Sequence, residues 1–343
     1  MERETNGWRS AVAVGAAGIA ALVAIRAAVR RSRYMDLRGR VVLITGGSRG
    51  LGLALAREFA DRGAKVAICA RNANELDRVQ AEFDRRGTAF LGLKCDVGVR
   101  GEIQRTIATV EEQFGPIDVL VNNAGTIFVG PIENQGIEAF EDALQTNFWA
   151  AVYATFAIRE GMKRRGRGRI VNIASIGGKV AIPHLLAYSA SKFALVGYSE
   201  GLRAELAKDN IFVTTVCPGL MRTGSPRNAD FAGQAEKEYE WFAVSGSVPV
   251  VSMEVTRAAR RVVDACVAGE SEVHLGITAK LASLAHGLAP GLCAESLSRV
   301  NQLMPQPGDK GTRIQKGFES ETPITASNLT KLTRMAEETQ NQL

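Results

Sequence analysis

The order of patterns along the 343 residues predicts an α/β fold: one doubly wound domain on a seven-stranded parallel sheet, preceded by an apolar helix and followed by a helical extension. Three observations predict it. Short apolar runs rich in β-branched residues alternate with longer stretches of helical spacing. The first such run ends in a glycine-rich turn that opens a helix. The composition, 46% apolar and 23% charged, is that of a globular chain long enough for one large domain with appendages.

The chain begins with a charge-free run, Ala11 to Ile25, extended to Trp8–Val29 if Arg26 snorkels. This is near the short limit for a spanning helix, for which about 20 apolar residues are usual. An uncleaved anchor, a cleaved signal and a buried helix all fit such a run. Positive charge follows the run instead of preceding it, which favours an anchor and puts the following domain on the cytoplasmic side. Residues 1–35 are therefore set apart as anchor and basic flank.

The domain proper opens with VVLIT (Val41–Thr45), the turn GGSRGLG and a helical run, LALAREFADRG. Strand, glycine turn and helix in that order make a dinucleotide entry: glycines allow the tight turn and close phosphate approach, and the helix N-terminus favours the diphosphate charge. KVAICAR (Lys65–Arg71) follows. An acid at the end of this strand would suit a free ribose 2′-hydroxyl; Ala70 and Arg71 stand there instead, and Arg49 in the glycine turn can close on a 2′-phosphate, so NADP(H) is expected. AFLGLKCD, VLVNNAG, RIVNIAS, IFVTTVCPG and EVHLG supply the remaining strands. EIQRTIATVEEQFG, the long pattern Glu138 to Lys163, and VSMEVTRAARRVVDACVAG supply covering helices.

RIVNIAS delivers Ser175 to the carboxyl edge of the sheet, where open α/β folds bind ligands. Shortly after it, Tyr188 and Lys192 stand at i and i+4, on one helix face. A free phenol titrates near ~10. A lysine beside it is expected to lower that value toward neutrality, which suits proton transfer to or from an alcohol oxygen. Taken alone, Y-x-x-x-K is also what an ordinary surface helix carries. The other motifs decide.

Thr45, Gly46, Gly50 and Gly52 give T-G-x-x-x-G-x-G; NNAG follows at Asn122–Gly125, then Asn147, Ser175, Tyr188–Lys192, and PG at Pro218–Gly219. In this order the chain resembles the short-chain dehydrogenase/reductase family, over roughly Asp36 to Gly276. The resemblance implies a Rossmann-type catalytic domain at 36–276, and an oxidoreductase that interconverts a carbonyl and a secondary alcohol by hydride transfer. It implies catalytic roles for four residues: Tyr188 as proton donor, Ser175 bonding the same oxygen, Lys192 tuning the tyrosine and binding the nicotinamide ribose, and Asn147 holding a relay water. It also implies that Gly46, Ser48, Arg49, Gly50, Leu51, Gly52 and Arg71 hold the diphosphate and adenosine. Asp96 and Val97 would border the adenine, Asn123, Ala124 and Gly125 would form the cofactor floor, and Pro218, Gly219 and Thr223 would close on the nicotinamide with Tyr188 and Lys192. Relatives often assemble through the helices carrying Asn147 and Tyr188, so a homo-oligomer is expected.

From Arg222 to Val250 the sequence mixes polar residues with Phe231, Tyr239, Trp241 and Phe242, and reads as a long irregular lid whose aromatics either face an apolar, lipid-like substrate or pack the lid against the domain. A soluble small-carbonyl reductase and a non-catalytic NADP(H)-binding module are the alternatives. Residues 277–343 form the extension. Its leucines, Leu281, Leu284, Leu288, Leu292 and Leu297, make a stripe open to three uses, covering the substrate pocket, pairing subunits or resting on a membrane, with packing on its own domain as the plain alternative. The polar end carries one short helix starting near Ser327.

Five scattered cysteines give no disulfide framework, and the three histidines show no ligand spacing, so no metal site is expected. The net charge of +6 gathers at Arg26–Arg40 and Lys163–Arg169, without the interleaved aromatics of a nucleic-acid surface. His184, four residues before Tyr188, could line the pocket, but a histidine in an apolar loop is more often structural.

Overall fold

In the computed structural model, residues 18, 21, 23–248, 252–309 and 311–342 are described. Seven strands form the main sheet: β1 Val41–Thr45, β2 Lys65–Ala70, β3 Phe90–Lys94, β4 Val119–Asn122, β5 Gly168–Ile173, β6 Ile211–Pro218 and β7 Glu272–Leu275. Their spatial order is β7-β6-β5-β4-β1-β2-β3, and every pairing is parallel. The order reverses between β1 and β4, so a crevice opens where their carboxyl ends part.

Alternation along the strands builds two cores. Val42 and Ile44 of β1 face the layer formed by α1 (Gly50–Asp61), α2 (Ala73–Arg85) and a later helix, Val255–Ala268. Val41 and Leu43 face the opposite layer, with α3 (Arg100–Phe114) and the helix Ala150–Arg164. Because both faces are covered, all five residues of β1 are buried, which is why the strand reads in sequence as an unbroken apolar run.

The long helical pattern expected from Glu138 to Lys163 is divided. α4 (Ile137–Leu144) passes into a wide π-type turn at Gln145–Trp149 before α5 (Ala150–Arg164) resumes. Asn147 sits in that turn. Its Oδ1 accepts from Thr126 N at 2.9 Å and its Nδ2 donates to Thr126 O at 3.1 Å, so the side chain is tied to the neighbouring loop where the helix widens.

The segment read as an irregular lid is largely regular. One helical turn at Ser225–Asn228 leads into α7 (Ala235–Ser247), which follows α6 (Leu186–Leu206) in the chain. Phe231, Tyr239 and Phe242 are buried beneath it with Val129 and Leu185. The buried positions of α7, among them Ala235, Glu238, Tyr239, Phe242 and Gly246, keep helical spacing. Polar Glu238 and Ser247 on that face concealed it in the sequence.

After α8 (Val255–Ala268) and β7, the extension forms α9 (Ile277–Leu288) and α10 (Pro290–Asn301). Leu281, Leu284, Leu288 and Leu292 are exposed on them. Ser327 caps a short turn by accepting from Leu329 N, and α11 (Lys331–Thr339) follows, as the sequence predicts. Most of the N-terminal apolar run lies outside the described residues. Residues 23–33 are helical, and no helix among the described residues is long and apolar enough to cross a membrane.

The basic clusters enter structural contacts. Arg30 pairs with Glu270 at 3.3 Å, Arg167 and Arg40 with Asp118 at 3.5 Å each, and the buried Arg169 donates to Cys266 O at 3.0 Å.

Candidate active site

A cavity of about 720 Å³ runs along the carboxyl edge of the sheet. It is lined by every residue predicted to hold a cofactor, and by Ser175; of the predicted residues only Asn147 stands behind the wall.

The glycine turn shapes the cavity at the end of β1. Gly46 has φ +63°, and a Cβ there would lie 2.8 Å from Ala124 Cα. A Cβ on Gly52 would collide with Gly46 O and stand 2.6 Å from Asn123 Nδ2. Only glycine lets β1, β4 and α1 approach this closely. Thr45 Oγ1 accepts from Asn123 N and Ala124 N at 3.0 and 3.1 Å, while Asn123 Nδ2 donates to Thr45 O and Gly46 O at 3.0 and 2.9 Å. The two strand ends are thereby locked around the start of α1, an end whose dipole suits a diphosphate, with Gly50 N donating to Gln340 O at 3.0 Å.

At the end of β2, Arg71 is exposed. Arg49 reaches the same end of the cavity, bonded to Asn228 Oδ1 at 2.8 Å and to Glu75 Oε1 at 3.2 Å. The buried Glu75 also accepts from Ser48 Oγ at 2.6 Å and from Asn72 Nδ2 at 3.2 Å. Glu75 was missed in the sequence because it belongs to α2 and not to the strand. Its signal was present: Asn72 followed three residues later by Glu is an N-terminal capping pattern, which fixes Glu75 in the first turn. Asp96 Oδ1 accepts from Gly98 N at 2.9 Å and steadies the turn after β3.

At the other end of the cavity, Ser175, Tyr188 and Lys192 converge. Ser175 follows β5 and its Oγ accepts from Gly177 N at 3.0 Å. A Cβ on Gly177 would stand 3.2 Å from Tyr188 Cε1 and 3.4 Å from Ser175 Oγ, so glycine there lets the two side chains meet. Lys192, one turn along α6 from Tyr188, is buried; its Nζ donates to Ile173 O at 2.9 Å and lies 5.8 Å from the Tyr188 ring centre. Gly125 faces the same point: a Cβ there would be 2.9 Å from Asn147 Oδ1 and 3.5 Å from Lys192 Nζ.

The electrostatics differ from the sequence expectation. Burial pushes the Tyr188 phenol above its ordinary value, against the lowering effect of its hydrogen bond with Ser175. Burial also pushes Lys192 down to about 8. Lowering of the phenol by Lys192 is not what this geometry gives: burial dominates, and Lys192 Nζ is turned to Ile173 O, 5.8 Å from the ring centre.

His184 is structural, as read. It has φ +62°, its Nδ1 lies 2.8 Å from Glu238 Oε1, and Trp241 Nε1 donates to Glu238 Oε2 at 2.7 Å. This trio, with His184 and Glu238 buried and Trp241 half-buried, joins α7 to the loop before α6. Among the described residues no cluster of side chains suits a metal ion.

The sequence pattern of the short chain dehydrogenase family matches residues 40–231, the stretch that carries the glycine turn and the Ser175, Tyr188 and Lys192 group. The chain belongs to the short-chain dehydrogenase family. A putative ketoacyl reductase of Streptomyces coelicolor is 41% identical over 185 residues, covering 53% of this chain and 71% of the relative. The granaticin polyketide synthase putative ketoacyl reductase 1 of Streptomyces violaceoruber is 34% identical over 254 residues, 72% of this chain and 92% of its own. Among solved structures, actinorhodin polyketide ketoreductase with NADPH superposes with a TM-score of 0.61 at 32% identity, covering 69% of this chain and 95% of that one. This short-chain dehydrogenase is accordingly an oxidoreductase of carbonyl and alcohol groups, in a family that works with a nicotinamide dinucleotide.

Proposed function

We propose that this short-chain dehydrogenase is an NADP(H)-dependent reductase of carbonyl groups on apolar, lipid-like substrates. The observation that carries the proposal is the meeting of Ser175, Tyr188 and Lys192 at one end of a cleft whose other end holds Arg49 and Arg71.

The bound dinucleotide supplies the hydride. The protein's part is to orient the carbonyl and to manage its oxygen. Tyr188, kept protonated by burial, donates its proton to the oxygen as negative charge develops there. Ser175, bonded to the phenol, offers a second hydrogen bond to the same oxygen. Lys192 would bind the nicotinamide ribose. Gly125 leaves a gap between Asn147 and Lys192 for the relay water that resupplies the proton. Pro218, Gly219 and Thr223, which line the cavity, would hold the nicotinamide end, and Asp96 and Val97 would border the adenine.

Two arginines at the adenosine end, with Glu75 already engaged by Ser48, Arg49 and Asn72, favour a 2′-phosphate. The printed title of the actinorhodin ketoreductase, which names NADPH, points the same way. Ile127, Ile182, Leu185, Trp241, Phe242 and Phe318 line the cavity and support an apolar substrate. The ketoacyl reductases among its relatives make a ketoacyl compound a natural member of that class.

Fluorescence titration with NADPH and NADH tests the cofactor reading. NADPH should bind more tightly, and Arg71→Asp should weaken NADPH by roughly 10- to 100-fold, the range for hydrogen bonds to a charged group, while sparing NADH. Equal affinity for the two cofactors contradicts the assignment. A panel running from short ketones to long-chain ketoacyl thioesters tests the substrate: rates rising with chain length support the apolar reading, and a preference for the shortest ketones favours a small-carbonyl reductase.

A further inference from the structure

The polar end of the chain returns across the cleft. Gln315–Lys316 pairs antiparallel with Asp230–Phe231, and Lys316 Nζ lies 2.6 Å from Asp230. α11 rests on α7, where Thr333 Oγ1 and Ser247 Oγ share a hydrogen bond of 2.5 Å. The residues that follow fasten to the glycine turn. Gly50 N donates to Gln340 O at 3.0 Å, and Arg57 Nη1 to Thr339 O at 3.0 Å. Asn341 Nδ2 donates to Ser48 O at 2.9 Å and to Glu75 O at 3.2 Å, and Asn341 Oδ1 accepts from Arg78 Nε at 2.6 Å.

Gln342 comes next and lines the cavity. Its N–H donates to Glu337 O at 3.0 Å, and the residue is only 8% exposed. The carboxamide lies between two glycines: a Cβ on Gly50 would stand 2.7 Å from its Nε2, and a Cβ on Gly224 would collide with its Oε1. Oε1 is buried and has no hydrogen-bond partner among the described residues. A buried orphan acceptor at the wall of a ligand cleft is a group awaiting its ligand.

We propose that residues 340–342 complete the dinucleotide site, the Gln342 carboxamide binding the diphosphate–ribose portion of the cofactor while the strap closes over it. The inference rests on the nicotinamide-dinucleotide reading of the cleft. A carboxamide suits this portion, since its oxygen accepts from a ribose hydroxyl and its nitrogen donates to a phosphate. The hydrogen bonds of Gln340 and Asn341 cross the opening, so cofactor release requires them to part, and the strap acts mainly on the dissociation rate.

The test uses the full chain with NADPH as probe. Equilibrium titration and stopped-flow dissociation are run on the wild type, Gln342→Ala, Gln342→Glu and Asn341→Ala, with thermal melting as a check on folding. Gln342→Ala should raise Kd about tenfold, the scale of one hydrogen bond to a charged ligand, chiefly through faster dissociation. Gln342→Glu keeps the shape but sets a carboxylate against the phosphates, and should weaken binding further. Asn341→Ala should speed release without touching the cofactor. Wild-type affinity and release rate in the glutamine variants overturn the proposal, and tighter binding in any variant shows an obstructing strap and overturns it too. A wild type that binds neither NADPH nor NADH refutes the cofactor reading itself.

Discussion

Lys192 is the residue whose environment departs most from its sequence pattern. Spacing puts it on the face of Tyr188, but it does not reveal that the ammonium is buried against Ile173 O and titrates near 8 instead of 10.5. The sign of the consequence follows. Between pH 8 and 10.5 the unfolded chain holds a proton on this lysine that the native state has released, so its contribution makes the native state more stable as pH rises through that window. Urea unfolding at pH 8 and pH 10 should show Lys192→Met losing part of this gain relative to wild type, with a slope difference of up to about 1.4 kcal/mol per pH unit. Parallel pH curves for the two proteins would mean the lysine is not strained in this way.

Elements were legible wherever a run had one environment. The strands are buried on both faces and read as continuous apolar runs, and the glycine turn announces itself because Gly46 and Gly52 admit no side chain. Elements whose buried face carries polar residues were not legible. α7 hid because Glu238 lies on its inner face, and the partner that makes Glu238 tolerable, His184, is distant in sequence. Gln342 escaped for the same reason: nothing in a polar tail says which glycine it will meet. His184→Ala should leave the Glu238 carboxylate buried with Trp241 as its remaining partner in the trio, and should cost about 1–3 kcal/mol in denaturant unfolding. A loss below about 0.5 kcal/mol would show that the trio is not what pins α7.

At the scale of the whole molecule, one crevice at the carboxyl edge of the sheet serves both ends of the proposed chemistry. β1, β2 and α2 shape the adenosine end, β5 and α6 bring Ser175, Tyr188 and Lys192 to the other, and α7 covers the apolar part between. The motifs legible in the sequence lie far apart along the chain, and the strand order brings them together at the switch point. The C-terminal extension divides in use: its last described residues return to the glycine turn, whereas α9 and α10 leave leucines exposed. The claim on which the account turns is that Tyr188 is the proton donor in an NADPH-dependent reduction. It is tested most directly by comparing single-turnover oxidation of bound NADPH by a ketoacyl thioester in wild type and Tyr188→Phe. The predicted result is a fall in rate of about 10²- to 10⁴-fold, the usual worth of a general acid, with NADPH binding retained. A Tyr188→Phe protein that turns over at the wild-type rate would contradict the account.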